Sequence, residues 1–396
     1  MQTVAHSPFT YSYPGIDQVV PTKVEEAAEM VRSAAPRSLV IRGGGTKSSI
    51  GCRPTVPALL LATSGLTGIL EYDPGELTLT ARSGTSIAEI EYALTSRGQY
   101  MPFDPPFASA GATLGGSIAA GLSGPRRLRY GGIRDFVLGI EYLNANGELV
   151  HGGGKVVKNA AGYDLPKLFC GSLGTLGVLT QITIKVFPRP QSSQTALVGL
   201  KTAQAMQDAF IAIQRSSLEV SAADAWPSGL ISNLAEISQP FTIAVCLQGA
   251  SQSLEPRCKA LQSLLPADSS IAILEGDSES ALWSTLRDLR WLENAPTVLR
   301  LYSTPTRTAE LDAILARHSA KRVFSLAGNI CWAALSGDPA ILNADLKSLG
   351  ISGAVWRSAS PSPEIIPTLL GGAMLRRVKA AFDPDNVFYP GRYAIG

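Results

Sequence analysis

The chain has 396 residues, enough for two or three ordinary domains, and its 45% hydrophobic and 17% charged residues supply a full core and exclude disorder. A net charge of +2, from 34 Lys and Arg against 32 Asp and Glu, argues against a nucleic-acid or membrane surface. No apolar run reaches transmembrane length, and residues 1–21 lack the basic and apolar regions of a signal peptide. We therefore expect a cytoplasmic protein, with any attachment to the inner membrane made through partner subunits.

The cysteine pattern excludes two kinds of metal centre. The five cysteines are Cys52, Cys170, Cys246, Cys258 and Cys331. No two of them form a C-x-x-C pair, so an iron–sulfur cluster or a structural zinc within this chain is not expected. Their odd number and scattered positions fit a reducing compartment better than a disulfide framework.

The first 190 residues predict short strands and helices. Apolar residues at helical spacing predict helices over 23–33 and 86–97, and Asp164–Phe169 is a third, short helix. Strands are predicted at 39–41, 59–61, 69–72, 77–80 and 178–187. A hairpin over 136–151 turns at Asn144–Gly147, because the Asn-Gly pair suits a tight turn.

The character of the chain changes near residue 195, after a Pro- and Ser-rich boundary at 188–194. Predicted strands at 195–200 and 241–248 alternate with helices at 203–215 and 254–265, and a similar order recurs over 297–332. This pattern predicts an α+β domain with an antiparallel sheet covered by helices. We therefore expect domains at 1–190 and 191–365, with residues 366–396 returning to the first.

Three glycine-rich loops lie within the first 180 residues. They are Arg42–Lys47, directly after the apolar run Leu39–Ile41, Gly111–Gly121 and Gly171–Val178. A single triple glycine is commonly only a turn. Three such loops together predict one large anionic ligand, such as a diphosphate, bound by main-chain N–H groups.

The order of elements excludes the two common nucleotide sites. A Rossmann site needs a strand, then G-x-G-x-x-G, then a helix, whereas Gly171–Gly177 follows a predicted helix and precedes a strand. A Walker A loop ends in G-K-[ST], which Thr46–Ser48 does not supply.

Four segments in this order resemble a known group of flavoproteins. Ile41–Gly51, Gly111–Gly124, Lys158–Asp164 and Lys167–Leu179 are similar to the FAD-binding domain of the vanillyl-alcohol oxidase and p-cresol methylhydroxylase (PCMH) flavoproteins. Pro125–Gly131, Arg134–Asp135 and the closing Phe382–Pro384 with Pro390–Arg392 narrow the resemblance to the FAD-binding E subunits of bacterial glycolate oxidases. The resemblance is strong over 37–190 and weak over 195–365.

The resemblance implies an α+β fold, with a PCMH-type FAD-binding domain of two subdomains and an α+β cap with an antiparallel sheet. It assigns the diphosphate to Arg42, Gly43, Gly44, Gly45, Thr46 and Lys47 and to the helix start at Gly111, Ala112, Thr113, Gly115, Gly116 and Ser117. It assigns the ribityl chain and ring to Ala119, Ala120, Ser123 and Gly124, the diphosphate or adenosine to Lys158, Tyr163 and Asp164, the adenine to Gly177, Val178 and Leu179, and closure of the site to Arg392. For Tyr163 the alternative is an ordinary core aromatic.

The absence of histidine at two positions bears on how FAD is attached and on whether the cap binds a metal. Many relatives attach FAD through a histidine in or near the first glycine loop; here that loop has none, so we expect non-covalent FAD, with a thioether from Cys52 as a remote alternative. Relatives that oxidise 2-hydroxy acids carry H-x-G-[DN]-G in the cap. The matching segment Ser325–Trp332 keeps Ala327–Asn329 without the histidine, so no metal site of that type is expected.

Two arginines are candidates for the substrate carboxylate. Arg300 lies in an apolar strand of the cap, where a buried arginine needs a partner, and its planar fork matches a carboxylate. The alternative is an ion pair within the cap. Arg126 lies in a basic loop with Arg127 and Arg129, which would line the substrate site or form a docking face; the alternative is a solvated basic loop.

The resemblance implies the FAD-binding subunit of a glycolate oxidase complex, acting on glycolate or a similar small 2-hydroxy acid. A second flavoprotein subunit and an iron–sulfur subunit are the implied partners, because this chain lacks a cluster motif. Two alternatives stay open: a non-catalytic flavin electron-transfer or assembly subunit, and a stand-alone 2-hydroxy-acid oxidase.

Overall fold

A computed structural model describes residues 7–51, 58–154, 163–231, 237–292, 295–358, 365–366, 372–389 and 392. Its helices are α1 (Val24–Arg32), α2 (Ile87–Thr95), α3 (Leu114–Ala120), α4 (Arg127–Tyr130), α5 (Ile133–Phe136), α6 (Leu165–Phe169), α7 (Ala203–Arg215), α8 (Ser251–Leu264), α9 (Gly276–Arg287), α10 (Thr308–Arg317), α11 (Asn343–Ser348) and α12 (Gly372–Phe382). Among the described residues, none of these helices is long and apolar enough to cross a membrane.

The strands of the first half are β1 (Gln18–Val19), β2 (Ser38–Arg42), β3 (Ala58–Ala62), β4 (Ile69–Asp73), β5 (Thr78–Arg82), β6 (Gln99–Tyr100), β7 (Val137–Leu143), β8 (Leu149–Gly153), β9 (Val178–Lys185) and β10 (Phe187–Pro188). Those that follow are β11 (Ser192–Leu200), β12 (Ala222–Pro227), β13 (Phe241–Gly249), β14 (Ser270–Leu274), β15 (Thr297–Tyr302), β16 (Lys321–Ser325), β17 (Ile330–Leu335), β18 (Ser352–Arg357) and β19 (Ile365–Ile366).

The chain divides into two compact units. The first unit comprises Met1–Ser123, Gly131–Arg189 and Leu370–Gly396, and the second comprises Gly124–Tyr130 and Pro190–Leu369. The segment Gly124–Tyr130, which the sequence groups with the first domain, therefore belongs to the second unit. Its side chains explain this difference: Leu128 packs against the core of the second unit, and Arg129 donates to the Glu219 carbonyl (2.8 Å) and carboxylate (3.0 Å).

The first unit contains two main sheets. β1, β3 and β2 form a parallel sheet in that order, as expected of the continuous apolar runs in β2 and β3. β4, β5, β9, β7 and β8 form an antiparallel sheet, and β10 pairs with β6. Ala27 and Val31 of α1 pack with Leu39, Leu61 and Phe388 in the core beside the parallel sheet.

Local signals account for the elements that the sequence predicts in this unit. The Ser86 hydroxyl caps α2 by accepting a hydrogen bond from the Glu89 amide (3.1 Å), and Ile87, Ile90 and Leu94 are the buried face of that helix. The predicted hairpin is confirmed as β7 paired with β8, and Gly147 takes the positive φ of +69° that its turn requires. The predicted helix over 23–33 is confirmed as α1.

The second unit has one nine-stranded sheet in the order β14, β11, β13, β12, β16, β17, β15, β18, β19, and every strand pair in it is antiparallel. Phe210 of α7 and Leu311 of α10 are fully buried in one core with Val198, Ile243 and Leu299 of the sheet. The expected fold class, α+β with an antiparallel sheet in the cap, is confirmed.

Candidate cofactor site

A cleft in the first unit brings the glycine-rich loops together. It holds about 690 Å³ of space, part of it open to solvent. The residues that line it are Ile41, Arg42, Gly43, Gly44, Gly45, Thr46, Lys47, Ser48, Thr63, Ser83, Thr113, Gly115, Gly116, Ala119, Ala120, Ser172, Leu173, Gly174, Gly177, Leu179 and Arg392. Segments far apart in sequence therefore form one site.

The first loop presents its main chain to the cleft because it has no room for side chains. It follows β2 directly, and a Cβ added at Gly44 would lie 1.8 Å from the Gly111 carbonyl oxygen. A Cβ at Gly43 would lie 2.3 Å from the Thr113 hydroxyl, and Gly45 has a φ of +74°. Glycine is therefore required at all three positions, and the loop is fixed against the second loop by backbone contact.

The second loop is built around α3, a helix of seven residues. The Thr113 hydroxyl caps it by accepting a hydrogen bond from the Gly116 amide (3.2 Å). A Cβ at Gly115 would lie 2.7 Å from Cβ of Ser83, which follows β5, so this glycine brings α3 close to the neighbouring strand.

The third loop docks on α3 through its backbone. The Gly171 amide donates to the Ile118 carbonyl (3.0 Å), and the Leu173 amide donates to the Ala119 carbonyl (2.8 Å). These bonds fix Ser172, Leu173 and Gly174 as part of the cleft wall.

Two hydroxyls of the wall have unused hydrogen-bonding capacity. Ser83 Oγ and Ser172 Oγ are buried, and neither has a hydrogen-bond partner among the described residues. Leaving a buried polar group unpaired costs about 1–3 kcal/mol. A polar ligand in the cleft can relieve that cost, so these residues fit a large polar group.

The ionisable groups of the wall are all cationic. Arg42, Lys47 and Arg392 line the cleft, and no carboxylate is among the described lining residues. The Lys47 ammonium is buried, donates to the Thr46 hydroxyl (2.9 Å) and lies 5.3 Å from the centre of the Phe107 ring. Arg392 Nε donates to the Ile50 carbonyl (3.2 Å). The cleft is therefore suited to an anion.

Most of the residues that the sequence assigns to FAD line the cleft. These are Arg42, Gly43, Gly44, Gly45, Thr46, Lys47, Thr113, Gly115, Gly116, Ala119, Ala120, Gly177, Leu179 and Arg392.

The others lie elsewhere. Ala112, Ser117 and Val178 are fully buried behind the wall, and Gly111 contributes the carbonyl against which Gly44 packs. The Ser123 hydroxyl accepts a hydrogen bond from the Ile133 amide (2.8 Å). This bond joins the two parts of the first unit that flank Gly124–Tyr130, the segment that belongs to the second unit.

The 158–164 segment is only partly described. Tyr163 is 94% exposed, so the core-aromatic alternative is wrong, and Asp164 is the exposed residue that precedes α6. Neither residue lines the cleft. Lys158, like Cys52, lies outside the described residues.

The residue-by-residue assignment leaves out seven lining residues, although three of them belong to the predicted third glycine-rich loop: Ile41, Ser48, Thr63 and Ser83, and, in that loop, Ser172, Leu173 and Gly174. Thr63 directly follows β3, and Ser83 directly follows β5. A small polar residue just after a buried strand is the signal that could have found both.

In the second unit, Arg300 is a buried cation that forms no ion pair with any of the described residues. It is 7% exposed, and its Nε has no hydrogen-bond partner among the described residues. Its guanidinium carbon lies 5.5 to 5.7 Å from the ring centres of Tyr302, Trp332 and Trp356. Burial lowers the pKa of Arg300, and the positive charge of Arg127 lowers it further. Within the described residues, the ion pair expected as an alternative is absent.

Arg126 lies in the same unit and is half-buried. Its charge acts on Cys246, although burial dominates there and raises the pKa of that thiol to about 11. Both arginines predicted for the substrate carboxylate therefore belong to the second unit.

The segment that lacks the cap histidine has an unusual backbone. Leu326, Ala327 and Gly328 have φ of +54°, +51° and +86°, three left-handed residues in succession. The buried Asp224 carboxylate stabilises this turn by accepting hydrogen bonds from the Ser325 hydroxyl (2.8 Å) and the Leu326 amide (3.1 Å). Within the described part of the chain, no group of three His, Cys, Asp or Glu side chains could hold a metal.

Comparisons with known proteins agree with the cleft. Residues 18–153 match the family model described as an FAD binding domain. Glycolate oxidase subunit GlcE of Escherichia coli (strain K12) is 44% identical over 185 residues, 47% of this chain and 52% of GlcE. Glycolate oxidase subunit GlcD of Bacillus subtilis (strain 168) is 26% identical over 94% of this chain and 88% of GlcD.

Two further comparisons concern a dehydrogenase and a solved structure. D-lactate dehydrogenase of Archaeoglobus fulgidus is 33% identical over 50% of this chain and 45% of that protein, so this chain spans about half the length of both this enzyme and GlcE. A solved alkyldihydroxyacetonephosphate synthase has the same fold, with a TM-score of 0.69 at 17% identity over 94% of this chain and 76% of its own. The match of residues 18–153 to an FAD binding domain supports FAD as the cofactor of this cleft.

We predict that Gly116→Trp abolishes FAD retention. Gly116 lines the cleft between Thr113 and Gly43, so an indole there would occupy the space of the ligand. The matched control is Gly337→Trp in the second unit, where a Cβ meets no atom within 4 Å. The measurement is the flavin absorbance of each purified variant relative to its protein absorbance. Stoichiometric flavin in the Gly116 variant would refute the site.

Proposed function

We propose that this chain is a PCMH-type FAD-binding flavoprotein and the FAD-binding subunit of a glycolate oxidase (glycolate dehydrogenase) complex. In this proposal the complex oxidises glycolate, or a similar small 2-hydroxy acid, to the 2-oxo acid and passes the electrons to a partner. The observation that carries the proposal is the cationic, glycine-lined cleft in a chain whose relatives are named for glycolate, D-lactate and D-2-hydroxyglutarate.

We propose FAD contacts for the residues that line the cleft. When bound, FAD supplies the acceptor for the hydride that leaves the substrate carbon. The Arg42–Lys47 loop would hold the diphosphate with main-chain N–H groups, and the Lys47 and Arg392 cations would balance its charge. Ala119 and Ala120 would leave space for the ribityl chain and ring.

We propose Arg300 as the residue that binds the substrate carboxylate. A buried guanidinium loses its water, and three aromatic faces replace only part of that stabilisation, about 0.5–2 kcal/mol for each. A carboxylate would satisfy the Nε and the rest of the fork with charge-assisted hydrogen bonds. Arg126 stays a second candidate for the same role.

Arg300→Met is expected to lower glycolate affinity about 100-fold, because it removes one partner of a buried charge pair. The melting temperature should stay level or rise, since the substitution also removes a buried charge that has no protein partner among the described residues. Trp332 and Trp356 flank the guanidinium, so tryptophan fluorescence during a glycolate titration reports binding. Arg317→Met, at an exposed arginine paired with Asp345, is the control. Wild-type affinity in the Arg300 variant would rule out this role.

The proposed partners are a second flavoprotein subunit and an iron–sulfur subunit. The sequence has no C-x-x-C pair, so electrons would leave through a cluster in another chain. We propose a cytoplasmic location, with any attachment to the inner membrane made through those partners.

A specific observation favours a second candidate function, that of a flavin electron-transfer or assembly subunit. The turn at Ser325–Trp332 has no histidine, so hydroxy-acid oxidation would then occur in a partner chain that has one. A stand-alone 2-hydroxy-acid oxidase is the third candidate.

Anaerobic addition of glycolate to the purified, FAD-loaded chain distinguishes these functions. A co-active subunit is expected to bleach the flavin absorbance, because the substrate reduces it directly. No bleaching alone, followed by bleaching when the partner is added, would exclude direct oxidation and support the second candidate. Continuous turnover with oxygen and no partner would support the third.

Acid precipitation tests how FAD is held. We expect the flavin absorbance to pass entirely into the supernatant, because the first glycine loop contains no histidine for a covalent link. Flavin that stays with the precipitated protein would contradict non-covalent binding. A Cys52→Ser variant that then releases the flavin would identify the thioether.

A further inference from the structure

The C-terminal segment carries a buried ion pair outside the cleft. The Lys379 ammonium donates to the Thr175 carbonyl (2.8 Å), to the Phe388 carbonyl (2.6 Å) and to the Asp383 carboxylate. All three N–H bonds of the ammonium are therefore used, one toward the third glycine-rich loop at Thr175 and two within the C-terminal segment at Asp383 and Phe388.

Asp383 is the anionic partner of Lys379 in this ion pair. It is fully buried, and its two carboxylate oxygens accept hydrogen bonds from the Val387 and Phe388 amides, each at 2.8 Å. The carboxylate thus folds residues 383–388 into a tight turn and fixes the direction in which the chain continues. Its charge is balanced by Lys379, the only cation that the structure pairs with it among the described residues.

Neither Lys379 nor Asp383 lines the cleft. Each of them, however, is hydrogen-bonded to a segment that leads to the cleft wall. Thr175 lies between the cleft residues Gly174 and Gly177. The turn made by Asp383 brings Val387 and Tyr389 against Leu39: the Leu39 amide donates to the Val387 carbonyl (2.6 Å), and the Tyr389 amide donates to the Leu39 carbonyl (2.9 Å).

These contacts connect the tail to two parts of the cleft wall. Leu39 belongs to β2, which runs into the first glycine loop, and the same tail continues to Arg392 in the cleft wall. Arg392 packs against Gly51: a Cβ added at Gly51 would lie 2.4 Å from the carbonyl oxygen of Arg392. One ammonium and one carboxylate therefore connect the first glycine loop, the third glycine loop and Arg392.

We propose that Lys379 and Asp383 are positioning residues for FAD, which set the separation of the first and third glycine loops and the place of Arg392. The inference rests on the proposed FAD site in the cleft. Loss of the pair would free the Thr175 carbonyl and release the tail from β2, so the cleft would lose its binding geometry while both sheets keep their strands.

The test measures FAD affinity in apoprotein variants by quenching of flavin fluorescence. Lys379→Met is expected to weaken FAD binding about 30-fold, because it removes three charge-assisted hydrogen bonds. Asp383→Asn, which keeps the size and an acceptor oxygen, is expected to weaken it about 10-fold. The control is Lys259→Met, which breaks an exposed ion pair to Glu255 of the same four-residue spacing and should change affinity less than about twofold.

The affinity readout separates positioning from stability alone. A Lys379→Met or Asp383→Asn protein that is folded by circular dichroism, melts lower and still binds FAD within about threefold of the wild type would overturn the inference. If the wild type binds FAD and Gly116→Trp does not, the proposed site stands whatever these variants do. If Gly116→Trp keeps its FAD, the failure lies in the proposed site.

A measurement on the wild type decides the matter if neither variant folds. Hydrogen exchange of the Phe388 and Tyr389 amides should slow at least about tenfold when FAD binds, although neither residue lines the cleft. Amides of β13 in the second unit serve as the internal reference. Unchanged exchange at Phe388 and Tyr389 would overturn the inference.

Discussion

The cleft depends on the contact between two backbones. Gly44 approaches the Gly111 carbonyl so closely that a single added carbon would overlap with it. This contact leaves main-chain atoms, rather than side chains, at the surface of the cleft. Each glycine in such a loop costs about 0.5–1 kcal/mol in conformational entropy relative to alanine. The docking of the third loop on α3, through the Gly171 and Leu173 amides, offsets part of that cost and gives the cleft its second wall.

The second unit treats its buried charges in two different ways. Asp224 accepts hydrogen bonds from Ser325 and Leu326, and Glu279 accepts them from the Ser193 hydroxyl (2.7 Å) and the Thr195 hydroxyl (2.8 Å). Those carboxylates are satisfied within the fold and hold strands and turns in place. The Arg300 guanidinium instead lies near three aromatic rings, those of Tyr302, Trp332 and Trp356. Among the described residues no hydrogen bond reaches Nε of Arg300, and this difference is the basis for proposing Arg300 as the residue that binds the substrate carboxylate.

Local sequence signals predict most of the first unit and most of the cleft. The Ser86 cap, the apolar spacing of α2 and the Asn-Gly turn each act within a few residues, so a pattern is enough to find them. The glycine loops are visible because no other residue type fits there. Thr63 and Ser83 could not be assigned with the same ease, because single small polar residues after strands are common and only the fold brings these two to one wall.

Contacts over long sequence distances limit the prediction elsewhere. The sequence leaves an ion pair open for Arg300, but β17 and β18 bring Trp332 and Trp356 to it instead of a carboxylate. The segment 124–130 goes to the second unit because Arg129 meets Glu219, 90 residues later. No local sequence pattern around Arg300 or Arg129 predicts these partners, because they are distant in the sequence.

The first unit includes Leu370–Gly396, which follow the second unit in the sequence. This arrangement determines which contacts can form first during synthesis. β2 obtains its contacts with Val387 and Tyr389 only after the whole of the second unit has left the ribosome. The nine strands of the second unit, by contrast, all lie within 190–369 and can pair earlier. The parallel sheet of the first unit therefore stays incompletely covered until residues 387–389 have been synthesised.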